Sequence, residues 1–221
     1  MSNQINWLTC ILAVLLAGCA HGDQRTVVSI LKPSVADAFE ALGQTMSAHR
    51  STLRFDNGKI VNDCETYLEQ RTRAEVDEGV NNRMVSQEYL ICDTVSLLAT
   101  AGTDWAEHEG SERFGELLRS GLDLRSFPSS LHQLAGEHPT LADMEHLAQV
   151  RVDGPAVVFE LEEWYFKLDV VALADVNQDG NLDWLVWLID ESNNRMYSDY
   201  RVLIIENVAE HGRLRASVIK R

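Results

Sequence analysis

Trp164-Tyr165-Phe166-Lys167-Leu168-Asp169-Val170-Val171-Ala172-Leu173-Ala174 is an apolar, aromatic and β-branched run. The polar stretch Asp175-Val176-Asn177-Gln178-Asp179-Gly180-Asn181 interrupts it, and Leu182-Asp183-Trp184-Leu185-Val186-Trp187-Leu188-Ile189 resumes it. Two such runs joined by a short loop of Asn, Asp and Gly read as a strand hairpin. Working outward, Val150–Val152, Ala156–Glu162, Tyr200–Glu206 and Arg213–Ile219 have the same texture. Asp153-Gly154, Ser192-Asn193-Asn194 and His211-Gly212 join them. Consecutive strands with short connections form an antiparallel meander.

From Lys32 to His146 the pattern is helical instead. Ser34 and Asp37 open a segment whose Val35, Phe39, Leu42 and Met46 make one apolar stripe. Ser51–Val61 reads as a hairpin about Asp56-Asn57-Gly58. Helices are expected near Asn62–Asp77, Arg83–Ala101 and Ser111–Ser120, with short ones at Ser129–Leu134 and Thr140–His146. Pro128 and Pro139 separate them. Helices first and strands after give an α+β fold, with N-terminal helices packed on one face of a C-terminal antiparallel β-meander. The expected organisation is a signal peptide over 1–18, a tether over 19–31 and one domain over 32–221. That domain divides into a helical part, 32–148, and a sheet part, 149–221. Trp184 and Trp187, three apart on a strand, should face opposite sides of the sheet.

Thirty-four acidic side chains against nineteen basic ones give a net charge of -15 over 221 residues. Such a body repels phosphate backbones, so nucleic acid is not an expected partner.

Residues 1–18 carry no charged side chain, and Trp7–Leu16 is a mostly apolar stretch. About twenty residues are needed to span a bilayer, so this length suits a signal-peptide core. Leu16-Ala17-Gly18-Cys19 resembles the lipobox of bacterial lipoproteins, although the segment before it, Met1–Asn6, has no Lys or Arg. The resemblance implies that Cys19 receives acyl chains and becomes the mature N-terminus, tied to the membrane of the cell envelope. Several acyl chains anchor stably where one is marginal. Ala20, rather than Asp, after the Cys resembles signals sorted to the outer membrane.

Of four cysteines, Cys10 would leave with the signal and Cys19 would carry lipid, leaving Cys64 and Cys92. Each falls on the apolar face of its helix: Cys64 near Leu68, and Cys92 with Val85, Tyr89, Val95 and Ala99. An oxidising compartment favours a disulfide between them; two separate buried thiols are the alternative.

Asp175-Val176-Asn177-Gln178-Asp179-Gly180-Asn181-Leu182-Asp183 fits D-x-[DN]-x-[DN]-G-x-x-D. Calcium takes six to eight oxygens at about 2.3–2.6 Å. The side chains of Asp175, Asn177 and Asp179, the Asn181 carbonyl and Asp183 are the candidate ligands, with Gly180 allowing the turn. In an EF-hand, position twelve is a bidentate Glu on an exiting helix; here it is Val186, in a strand-like run. The frame of strand, loop and strand is similar to the calcium hairpin of integrin-type FG-GAP and VCBS repeats. The resemblance covers about twenty residues and one copy, and it implies Ca2+; the missing bidentate Glu argues for weak affinity and a structural role. A plain β-turn uses the same residue types, but three clustered carboxylates without a cation repel one another.

The histidines show no zinc spacing, and neither a nucleophile elbow nor a P-loop is present. Glu160 and Glu162 alternate with Phe159 and Leu161, as on the wet face of a strand. The expectation is a non-catalytic envelope lipoprotein that binds a protein partner or assists assembly. The alternatives are an envelope hydrolase using Asp183 or Glu160 around a metal, or a surface adhesion module.

Overall fold

The computed structural model describes residues 27–110, 113–137, 139–206 and 212–219. The stretch read as a signal peptide, 1–18, and Cys19 lie outside them. The chain enters as β1 (Val28–Ile30), which buries Val28 and Ile30. Helix α1 (Pro33–Glu40) begins at a proline, whose fixed φ suits a first turn. It ends at Ala41, and α2 (Leu42–Ser47) follows. Strands β2 (Leu53–Arg54) and β3 (Ile60–Val61) pair antiparallel, turning at Gly58 with φ +81°. Helix α3 (Cys64–Gln70) is capped by Asp63, whose carboxylate accepts the Thr66 amide. Helix α4 (Val80–Val85) passes through a 3-10 turn (Ser86–Tyr89) into α5 (Leu90–Ala101). Strand β4 (Trp105–Glu107), α6 (Phe114–Gly121), α7 (Ser130–Ala135) and a 3-10 turn (Ala142–Met144) complete this half.

The second half is the meander: β5 (Gln149–Asp153), β6 (Ala156–Glu160), β7 (Trp164–Ala174), β8 (Asp183–Ser192), β9 (Ser198–Ile205) and β10 (Ala216–Val218). Each pairs antiparallel with the next. The long β7 has β6 alongside its first half and β1 alongside its second. Beyond β1, β4 adds a parallel edge, closing an eight-stranded sheet. The fold is α+β with a mostly antiparallel sheet.

Two expectations need correction. The stretch read as tether, 19–31, contains β1, because Val28 and Ile30 alternate about Ser29 and fill a place beside β7. The helices also cover both faces of the sheet, not one. On one face, α1 and α5 supply Val35, Phe39, Val95 and Leu98 against Val171, Ala172 and Leu185. On the other, α6 and α7 supply Phe114, Leu118 and Leu131 against Phe166, Leu168, Val186 and Leu203. Each fully buried Leu or Phe stabilises by about 1.5–3 kcal/mol, so both layers hold the sheet. A register shift between Val170 and Ala172 puts Val171 and Ala172 together on the α1–α5 face. Trp184 is buried against α6, while Trp187 points to α5 and donates its indole N–H to the Thr94 hydroxyl at 2.8 Å.

A third cluster lies beyond the end of the first layer. Phe55, Tyr67 and Tyr89 surround a disulfide between Cys64 on α3 and Cys92 on α5, with Cα atoms 5.2 Å apart.

Candidate calcium-binding hairpin

The β7–β8 pair delivers the loop, because the strands stay paired from Trp164↔Ser192 to Ala174↔Asp183, with one register shift between Val170 and Ala172. Asp175 is buried at the exit of β7, and Asp183 is wholly buried at the start of β8. Between them the chain turns through Gln178 at φ +61° and Gly180 at φ +88°. The second value is one that glycine alone adopts without strain.

The side chains organise this turn around their own backbone. Asp175 accepts the Asp179 amide at 3.0 Å through Oδ1 and the Gly180 amide at 2.9 Å through Oδ2. Asn177 Oδ1 also accepts from the Asp179 amide, at 3.0 Å, and Asp179 Oδ1 accepts from the Asn181 amide at 2.8 Å. The Asn177 side-chain amide donates to Asp179 Oδ2 at 3.2 Å. Asp183 closes the loop by accepting the Val176 amide through Oδ2 at 3.1 Å. Its other oxygen, Oδ1, is buried and has no hydrogen-bond partner.

Burial raises the Asp183 carboxyl above the usual carboxylate range. The Val176 amide opposes the rise, and Glu206, Asp179 and Asp175 add to it by repulsion. Glu206 follows Ile205, the register partner of Trp184, so β9 brings a fourth carboxylate to this end of the sheet. The sequence motif gave no sign of it, because only cross-strand register joins positions 183 and 206.

Among the described residues, no three Asp, Glu, His or Cys side chains gather closely enough to hold a metal ion. The donor set is nevertheless the one a hard cation takes, all oxygen. An oxygen that accepts one N–H keeps a second lone pair, so the loop's internal bonds leave ligating capacity. The orphaned Asp183 Oδ1 is the atom whose surroundings lack something positive. The donor types, though not their present spacing, suit calcium, and Asp175, Asn177, Asp179, Asn181 and Asp183 are the residues that would hold it.

The other candidates are dispersed. Glu160, Glu162 and Glu163 are exposed. Sequence reading missed Asp190, on the α7 face of β8, which is fully buried. No helix of the described residues is long and apolar enough to cross a membrane. Comparison of the chain with protein-family models, curated proteins and solved structures found no match.

Proposed function

We propose that this chain is a lipid-anchored protein of the bacterial cell envelope, held at the outer membrane through acylated Cys19. Its folded body carries a structural calcium hairpin and has a non-catalytic role in binding or assembly. The observation that carries the calcium reading is the buried, half-satisfied Asp183 carboxylate beneath a loop of oxygen donors. A cation there supplies the missing positive charge and pins β7 to β8. Because Asp183 is wholly buried, the ion on that side faces protein and acts as a strut rather than a seat for substrate. The envelope reading is supported by Leu16-Ala17-Gly18-Cys19 and by a Cys64–Cys92 disulfide, which suits an oxidising compartment.

The test is a thermal melt of the full chain in detergent, with calcium and then with chelator. Calcium at ten times its Kd should raise Tm by about 3–6 °C, and Asp179→Ala should abolish the rise. No shift at millimolar calcium would reduce the loop to a turn. Metabolic labelling with palmitate tests the anchor: label should enter the protein and be absent from Cys19→Ser.

A further inference from the structure

We infer that the calcium seat reaches beyond the linear motif onto β9, where Glu206 supplies a further carboxylate ligand, so that the ion ties three strands together rather than two. This deepens, and rests on, the calcium reading above.

The placement follows from the register. Strands β8 and β9 pair Leu185 with Ile204 and Trp184 with Ile205. Leu185 and Ile204 pack on the α1–α5 face, Trp184 and Ile205 on the α6–α7 face. Faces alternate along a strand, so one step further Asp183 and Glu206 stand side by side on the α1–α5 face. Directly opposed residues have Cβ atoms about 4.5–5.5 Å apart, and like charges there are destabilising. Glu206 accordingly repels the Asp183 carboxylate more strongly than the loop's own Asp179 and Asp175 do.

That repulsion is not offset within the chain. Among the described residues, none of Asp175, Asp179, Asp183 and Glu206 is ion-paired with a lysine or arginine. Arg215, one position before the Ala216↔Ile205 pair on β10, is exposed and makes no such pair with them. The independent sign of a ligand is the Asp183 side chain itself. It is wholly buried, and Oδ1, beside the Oδ2 that closes the loop on Val176, has no partner. A buried charge is ordinarily paired or held by a metal.

The chemistry matches what the linear motif lacks. Calcium takes six to eight oxygens, and the donors of the loop, counted once each, fall short of that shell. An EF-hand closes its shell with a bidentate Glu at position twelve, where this chain has Val186. Glu206 brings the same residue type from the neighbouring strand, able to give one oxygen or two. It is exposed, so turning toward the loop disturbs no packing. A fourth carboxylate also adds charge against the cation, which tightens binding.

Europium(III), a luminescent stand-in for calcium, is titrated into the full chain in detergent, and calcium affinity is read by competition. Wild type should bind, and Asp179→Ala should not. Glu206→Ala should raise the calcium Kd about tenfold, and europium lifetimes in water and heavy water should report about one or two more bound waters than in wild type. Glu206→Asp keeps the charge but shortens the reach, so it should lose affinity nearly as far as Glu206→Ala; a carboxylate acting only through its field would not notice the change. Unchanged hydration in Glu206→Ala, or a Glu206→Asp that binds as wild type does, overturns the inference and leaves the calcium hairpin standing if Asp179→Ala still fails to bind. No binding of europium or calcium by wild type overturns both readings.

Discussion

The backbone amide of Ser130 donates to Asp190 Oδ2 at 2.7 Å, tying the first turn of α7 to a carboxylate near the end of β8. Asp190 is wholly buried, and its Oδ1 has no partner. Burial pushes its pKa up to about 6; the Ser130 amide and hydroxyl pull it down, and Asp199, its register partner on β9, pushes it up. Arg201 opposes Asp199. A raised pKa means that the folded state holds this proton more tightly than the unfolded chain does. Its stabilising share is therefore full below pH about 4 and is lost as pH rises through about 6. Asp190→Asn removes that dependence. Relative to wild type, the variant should gain up to about 3 kcal/mol between pH 4 and 7. Denaturant unfolding of both proteins at the two pH values checks this, and a difference that does not change with pH refutes it.

A second prediction concerns the contact between α6 and the β5–β6 hairpin. Gly115 packs so closely that an added Cβ would clash with the Ala156 carbonyl oxygen and lie 2.8 Å from the Gly154 carbonyl oxygen and from Val152 Cγ1. Two of these neighbours are backbone, which cannot rotate away. Gly115→Ala should destabilise by about 1–3 kcal/mol through overpacking, lowering Tm by about 2–12 °C. Gly43, on the exposed side of α2 with nothing within 4 Å of an added Cβ, is the control; Gly43→Ala should stabilise slightly.

The β7–β8 hairpin and its loop were legible because each signal is local. Strand composition, turn residues and the one-three-five-nine spacing all fall within about twenty-five positions. Cys64 and Cys92 could likewise be placed on apolar helix faces from periodicity alone. What escaped was decided by distant partners. The three residues of β1 become a strand only because β7 offers its edge, and Trp105-Ala106-Glu107 only because β1 then does. The apolar stripe of α6 shows that it packs on something, not which face of the sheet it chooses. Asp190 reads in sequence as an ordinary polar strand position.

The disulfide should matter more than its small size suggests. It joins α3 to α5 across a separation of 28 residues, and Arg50 Nε donates to Cys64 Sγ at 3.3 Å. Closing that loop restricts the unfolded chain by about 3–4 kcal/mol in the chain-entropy account. Replacing both cysteines with alanine should lower Tm by roughly 10 °C. Because Tyr67 and Tyr89 pack against each other in the same cluster, with centroids 4.7 Å apart and ring planes inclined at 41°, near-ultraviolet circular dichroism should lose tyrosine signal in parallel. An unchanged Tm would mean that the bridge adds no constraint the packing lacks.

The sharpest prediction lies at Asp183, where two effects of one substitution have opposite sign. Without calcium, the native state keeps a carboxylate at 0% exposure with one oxygen unpartnered, near Glu206, Asp179 and Asp175. Its pKa is raised, so in the absence of metal its contribution to stability falls as pH rises through that value. Asn at this position keeps an oxygen to accept the Val176 amide and removes the negative charge. In chelator at pH 7, Asp183→Asn should therefore melt above wild type, and it should approach wild type as pH is lowered toward 4. With calcium the order reverses: wild type gains the cation and the variant, lacking the closing carboxylate, gains little. Melting curves of the two proteins in chelator and in millimolar calcium test both signs together. A variant less stable than wild type in chelator would mean that Asp183 is satisfied by the protein alone, and the loop would then have no need of an ion.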